Sequence, residues 1–132
     1  MTDHATPASG RRRIAALLQA VVTVAAGLVV HLVLPGSVGT DIAGDALYAV
    51  LIYLLVVVLA PRLRPASVAV IAGTLCLALE LFQLTGLPRV WAESFGPVAL
   101  VFGSGFDVRD LVVYVAAVSA AALLDTALGH RR

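Results

Sequence analysis

Lysine and asparagine are absent from this chain of 132 residues, and cysteine, methionine and tryptophan occur once each. A lone Cys76 allows no intrachain disulfide and no cysteine-based zinc site, and within an apolar run it reads as a small packing residue. Without lysine, all nine basic residues are arginines. No basic cluster is interleaved with aromatics, so nucleic-acid binding has no support. Charged residues make up 13% of the chain, against about 25% in an ordinary soluble domain.

What fills the chain instead is apolar. Hydrophobic residues reach 61% and the mean hydropathy is +1.01, which is the composition of an integral membrane protein of a single domain. Abundant Ala and Val, with Arg replacing Lys throughout, point to a GC-rich bacterial genome. A membrane-spanning helix needs about 20 mostly apolar residues. Four stretches qualify: 14–34, 42–60, 66–87 and 108–128. Pro35-Gly36, Pro61 with Pro65, Pro88 and Gly129 punctuate their ends. The expected fold is all-α, a four-helix transmembrane bundle. Residues 1–13 are expected to form a disordered N-terminal tail, 88–107 an outer loop and 129–132 a short C-terminal tail. A cleaved signal peptide is the rival reading of the first segment, with Ser37-Val38-Gly39 as the cut site. Its apolar stretch is well beyond the roughly 7–15 residues of a signal h-region, which favours a retained helix.

Arginine placement gives a direction. Arg11, Arg12, Arg13, Arg62, Arg64, Arg131 and Arg132 fall on one side of a four-helix bundle, against Asp3 and Asp125. The other side has Arg89 and Arg109 against Asp41, Asp45, Glu80, Glu93, Asp107 and Asp110. By the positive-inside rule the arginine side is cytoplasmic, as are both termini, in a bacterial plasma membrane.

Threaded that way, the second, third and fourth helices bring polar groups to the outer level. Asp45 and Tyr48 are three apart, Glu80 and Gln83 three apart, Asp110 and Tyr114 four apart, so each pair shares one helix face. With a third helix running to Leu87, Glu80 lies about 10 Å below its outer end. Ionisable groups at such depth are costly and mark a candidate site. Arg89, just past the third helix, is placed to neutralise these carboxyls in a network with Glu80 and Gln83. The bland alternatives are specific. Asp45 and Asp110 suit helix N-termini, where the macrodipole favours acids; a network around Glu80 can be structural glue. His31 suits the interface. Asp125 suits a solvated end charge beside His130, and Tyr53 suits mid-helix packing with a hydroxyl in need of a partner. The segment 88–107 holds Trp91, Phe95, Phe102 and Phe106, which suit the membrane interface, and 98–102 suits a short helix. It reads as a lid over the polar groups or as a passive anchor.

These residues carry a resemblance. Gly44-Asp45-x-Leu47-Tyr48, Glu80-Leu81-x-Gln83, Arg89 and Gly103-Ser104-x-Phe106-x-x-x-Asp110-x-x-x-Tyr114 resemble a family of small uncharacterised four-helix bacterial membrane proteins, with a more distant similarity to VanZ-like proteins. The resemblance implies a plasma-membrane protein of unassigned activity. Through the VanZ-like proteins it implies an envelope or antibiotic-response role outside the membrane.

Three functions compete. The first is a non-enzymatic envelope protein that binds a lipid headgroup or lipid-linked component through Asp45, Tyr48, Glu80, Gln83, Arg89, Asp110 and Tyr114; excess acid there favours an amine-bearing or metal-bridged ligand. The second is a metal-dependent enzyme acting on such a lipid, with Asp45, Glu80 and Asp110 as oxygen ligands. The third is a small cation-coupled transporter, disfavoured because Asp125 is the one acid in the inner half. No nucleophile–base pair or phosphate loop is present, no catalytic residue is assigned and no cofactor is implied. The partners expected are the bilayer and an envelope lipid. Small residues four apart, such as Ala69 and Gly73, permit close helix approach but assign no oligomer.

Overall fold

In hydrocarbon every backbone polar group must be satisfied within the chain, which makes helices the natural solution for apolar stretches of this length. The computed structural model describes residues 7–103 and 105–130; Asp3, Ser104, Arg131 and Arg132 lie outside them. The described residues form six helices and no strand: α1 (Pro7–Leu32), α2 (Val38–Leu59), α3 (Pro65–Gln83), α4 (Leu87–Ser94), α5 (Val98–Phe102) and α6 (Val108–His130). α1, α2, α3 and α6 are long and apolar enough to cross a membrane. The protein is an all-helical integral membrane protein.

Local chemistry sets the boundaries. Ser37 caps α2 in a capping box: its hydroxyl accepts from the Thr40 N–H at 3.2 Å, and Thr40 Oγ1 accepts from the Ser37 N–H at 2.8 Å. Pro65 opens α3 at a position that needs no backbone donor. Asp107 caps α6, its Oδ1 accepting from the Arg109 N–H at 2.9 Å. Two boundaries differ from the hydropathy reading. α1 starts at Pro7 rather than near Ile14, so Arg11–Arg13 are helical and not part of a tail. Hydropathy marks the lipid-buried part of a helix, whereas backbone hydrogen bonding continues through its polar end. α3 stops at Gln83 rather than Leu87, because the chain turns through Gly86 at φ +77° and restarts as α4 with Pro88 in its first turn. The segment 88–107 is therefore largely two short helices, with α5 over the 98–102 expected for it.

α2, α3 and α6 pack mutually, and α1 packs on α2. The buried core is built from α2 (Ala49, Tyr53, Leu54, Val56, Val57), α3 (Val68, Ala72, Cys76) and α6 (Tyr114, Val118), with Ala16 and Ala20 added by α1. Outward-facing Val21, Val70, Val112 and Leu123 keep 67–72% of their surface exposed. That is untenable in water over so large an area but ordinary in lipid.

α1 gains a second attachment at the arginine end. Arg12 donates through one amino group to the Pro61 and Leu63 carbonyls at 2.7 and 2.6 Å, and through the other to Asp125 Oδ2 at 2.5 Å. The same Asp125 oxygen accepts from the Tyr53 hydroxyl at 2.7 Å. Asp125 is therefore not a solvated end charge. It is the shared acceptor that joins α6 to α1 and α2, while Arg12 adds the α2–α3 turn, and it supplies the partner Tyr53 requires. We expect Asp125→Ala to destabilise the folded protein by about 2–3 kcal/mol, since two bonds to a charged, four-fifths-buried acceptor are lost. Tyr53→Phe should cost about 1 kcal/mol. Thermal unfolding in detergent measures both; a full-strength transition in Asp125→Ala would remove the tie from the fold's stability.

Candidate functional site

The groups at the acidic end divide into those that hold the structure and those left for chemistry. Glu80 is fully buried, one turn before the end of α3. With α3 ending at Gln83, its height below the helix end is about 4.5 Å, not the 10 Å that a longer helix implies. Glu80 Oε1 accepts from the Tyr114 hydroxyl at 3.1 Å, and Oε2 accepts from the Asp107 N–H at 3.4 Å. Its partners are thus α6 and the turn leading into it, rather than Gln83 and Arg89. Gln83 donates through Nε2 to the Phe102 carbonyl at 2.5 Å, and Tyr48 donates to the Val101 carbonyl at 2.6 Å. Tyr48, Glu80 and Gln83 thereby tie down the segment that joins α3 to α6. Burying a polar group is tolerable only with such partners.

Aromatic packing completes the attachment. Phe82 lies 5.6 Å from Trp91 and 5.8 Å from Phe102, and those two rings are 6.0 Å apart, each pair tilted or edge-on. α4 and α5 are pinned to the end of α3 by this three-ring cluster. Gly103 follows with φ +71° and ψ −175°, a conformation essentially reserved for glycine, and a Cβ there would sit 2.5 Å from Gln83 Nε2.

Beneath this segment lies a cleft of about 840 Å³ between α1, α2 and α6, within the size range of small-ligand sites. Asp45, Tyr48, Gln83, Asp110 and Tyr114 line it; Glu80 and Arg89 do not. Asp45 lies within electrostatic range of Asp110, Arg109 and Glu80. Arg109, absent from the sequence-derived set, is the cation of the site: it faces Asp107 and Asp110, each at 3.7 Å. A signal for it existed, since the residue after a helix-capping Asp–Val pair and before Asp110 must point back toward that end. Arg89 is exposed, near Gly105, and makes no ion pair or hydrogen bond among the described residues. It belongs to the separate helix α4, and its guanidinium lies against Gly105 without an ion pair to the described carboxyls.

Three buried polar atoms in the cleft wall have no hydrogen-bond partner among the described residues: Gln83 Oε1, Arg109 Nε and Asp110 Oδ1. Two are acceptors and one is a donor, so the wall can engage both a cation and an anion. A metal centre lacks comparable support, because no group of three His, Cys, Asp or Glu among the described residues is arranged to hold an ion, and Glu80 is spent on Tyr114 and Asp107.

If Gly103 sets the position of the covering segment, Gly103→Ala should lower stability by about 1–3 kcal/mol, read as a depressed thermal transition, and should raise protease sensitivity between α5 and α6. A neutral substitution would show that the segment accommodates a side chain by shifting.

Comparison with curated proteins and with solved structures finds no match. Comparison with protein families matches residues 35–118 to "Protein of unknown function (DUF2809)". The matched region contains α2 to α5 and the first half of α6, with every cleft-lining carboxyl from Asp41 to Asp110. It leaves out Arg12 and Asp125. Because the match covers more than half of the chain, this protein belongs to the DUF2809 family of unknown function.

Proposed function

We propose that this protein binds the headgroup of a lipid or lipid-linked envelope component in the cleft at its acidic end, without catalysing a reaction on it. The observation that carries the reading is the set of three buried polar atoms without a hydrogen bond among the described residues, Gln83 Oε1, Arg109 Nε and Asp110 Oδ1, around one cleft in a membrane protein. Buried polar groups are nearly always paired, and a ligand that supplies the partners offsets their desolvation. Asp45 and Asp110 form the cation-binding side and Arg109 the anion-binding side. Tyr48, Glu80, Gln83 and Tyr114 position the wall. Arg89 has no place in this arrangement. No arrangement of nucleophile and base among the described residues of the cleft favours an enzyme.

The cleft faces outward in this proposal. Arg11–Arg13 and Arg62 with Arg64 lie at one end, joined there by Arg12, and the acids at the other, which by the positive-inside rule makes the arginine end cytoplasmic in a bacterial plasma membrane. An outward cleft suits the envelope role that a VanZ-like likeness implies.

Two experiments test this. Native mass spectrometry of purified protein should show selective retention of one lipid class by wild type, reduced at least about tenfold in Asp45→Asn and Asp110→Asn, with thermal transitions near wild type. Equal lipid profiles across the three proteins would reject the headgroup site. For orientation, a Cys76→Ser chain carrying Gly36→Cys should react with a membrane-impermeant maleimide in intact cells, whereas Ala66→Cys should react only after lysis. The reverse pattern would place the cleft on the cytoplasmic side.

A further inference from the structure

We infer that the ligand is a zwitterionic amine–phosphate lipid whose hydrocarbon chain lies in a lateral groove between α1 and α6. This deepens the headgroup reading and rests on it. The groove follows from the packing. α1 attaches along α2, and its substantial helix packing among the described residues is with α2 alone. α1 and α6 thus stand as two walls over α2 as floor. The resulting space of about 1130 Å³ is lined by apolar groups such as Ala16, Val22, Val50, Leu54 and Ala120. It adjoins the acidic cleft at Thr23, which borders both. The hydroxyl of Thr23 is already spent on the Gln19 carbonyl at 2.7 Å, so it adds no polar demand to the wall. At the far end the groove reaches Arg12 and Asp125, whose ion pair joins its two walls.

The dimensions match an amphiphile. Along the floor, Ala46 to Val57 of α2 runs about 16 Å, half of the roughly 30 Å hydrocarbon core, and it starts beside Asp45. A molecule with its headgroup at Asp45 therefore has its chain end near Val57, the reach of one leaflet. The headgroup chemistry follows from the polar atoms: an ammonium meets Asp45, Asp110 Oδ1 and Gln83 Oε1, and a phosphate meets Arg109 Nε. A simple cation leaves Arg109 Nε without a hydrogen bond, and a simple anion faces the two carboxyls.

The test uses the full chain in detergent with two phosphatidylethanolamines, dihexanoyl and dioleoyl, and dioleoyl phosphatidylglycerol as the anionic control. Val22→Trp and Ala120→Trp fill the groove from opposite walls at exposed positions outside the core. Each should lower dioleoyl phosphatidylethanolamine retention about tenfold, the loss expected when about ten carbon contacts are removed, and leave dihexanoyl binding unchanged. Unchanged dioleoyl retention in both variants would overturn the groove assignment and leave the headgroup site standing. Equal loss of both probes would also overturn it, since the substitutions would then act on the cleft. Equal retention of phosphatidylethanolamine and phosphatidylglycerol by wild type would mean annular lipid only, and would remove the headgroup reading together with this one.

Discussion

A carboxyl with no solvent exposure inside a membrane bundle must be satisfied by the chain itself, and Glu80 is satisfied from two directions at once. Tyr114 reaches it from α6 and the Asp107 N–H from the turn that starts α6. Those bonds set where α6 begins relative to α3, and the position of α6 sets everything at the acidic end. Asp110 and Arg109 sit in its first turn, and Asp45 approaches them from α2. In a low-dielectric setting a donor moved away from Glu80 leaves a buried polar group unsatisfied, which is why so small a contact can hold so much geometry.

The opposite end solves the same problem with one arginine. Arg12 carries several donors on a planar head and spends three hydrogen bonds on two carbonyls and Asp125. Helices in lipid gain little from burying apolar side chains against each other, so α1 depends on its packing along α2 and on this polar knot. The bundle is therefore asymmetric: α2, α3 and α6 close on one another, α1 stands to the side, and a groove opens between α1 and α6. Both the cleft and the groove follow from that one asymmetry, with the polar ties at the two ends keeping the walls in place.

Several polar residues proved to be structural in a way that spacing alone does not reveal. Tyr48 and Gln83 share helix faces with carboxyls, yet their hydrogen bonds go to the backbone of α5. Asp125 looked like an end charge because it lies near His130, Arg131 and Arg132 in sequence, whereas its partners, Arg12 and Tyr53, are 113 and 72 residues away. Arg89 looked like the natural counter-ion because it follows α3, but the early turn at Gly86 places it in α4, where it makes no ion pair among the described residues. Arg109 takes that place, and its role depends on the angle at which Asp107 starts α6.

The sequence by itself determined that this is a membrane protein with four crossing helices, because apolar length and Pro or Gly punctuation are local properties read against a solvent of known thickness. It also determined which end is acidic and which is basic, because helix direction alternates with each turn. Tertiary structure alone decided which polar groups pair, which remain open to a ligand, and where a groove lies. Those depend on helix rotation and on a turn ending α3 four residues early, and a shift of one residue rotates a helical side chain by about 100°. Hydropathy is nearly indifferent to that rotation. Hydrogen-bond geometry is not.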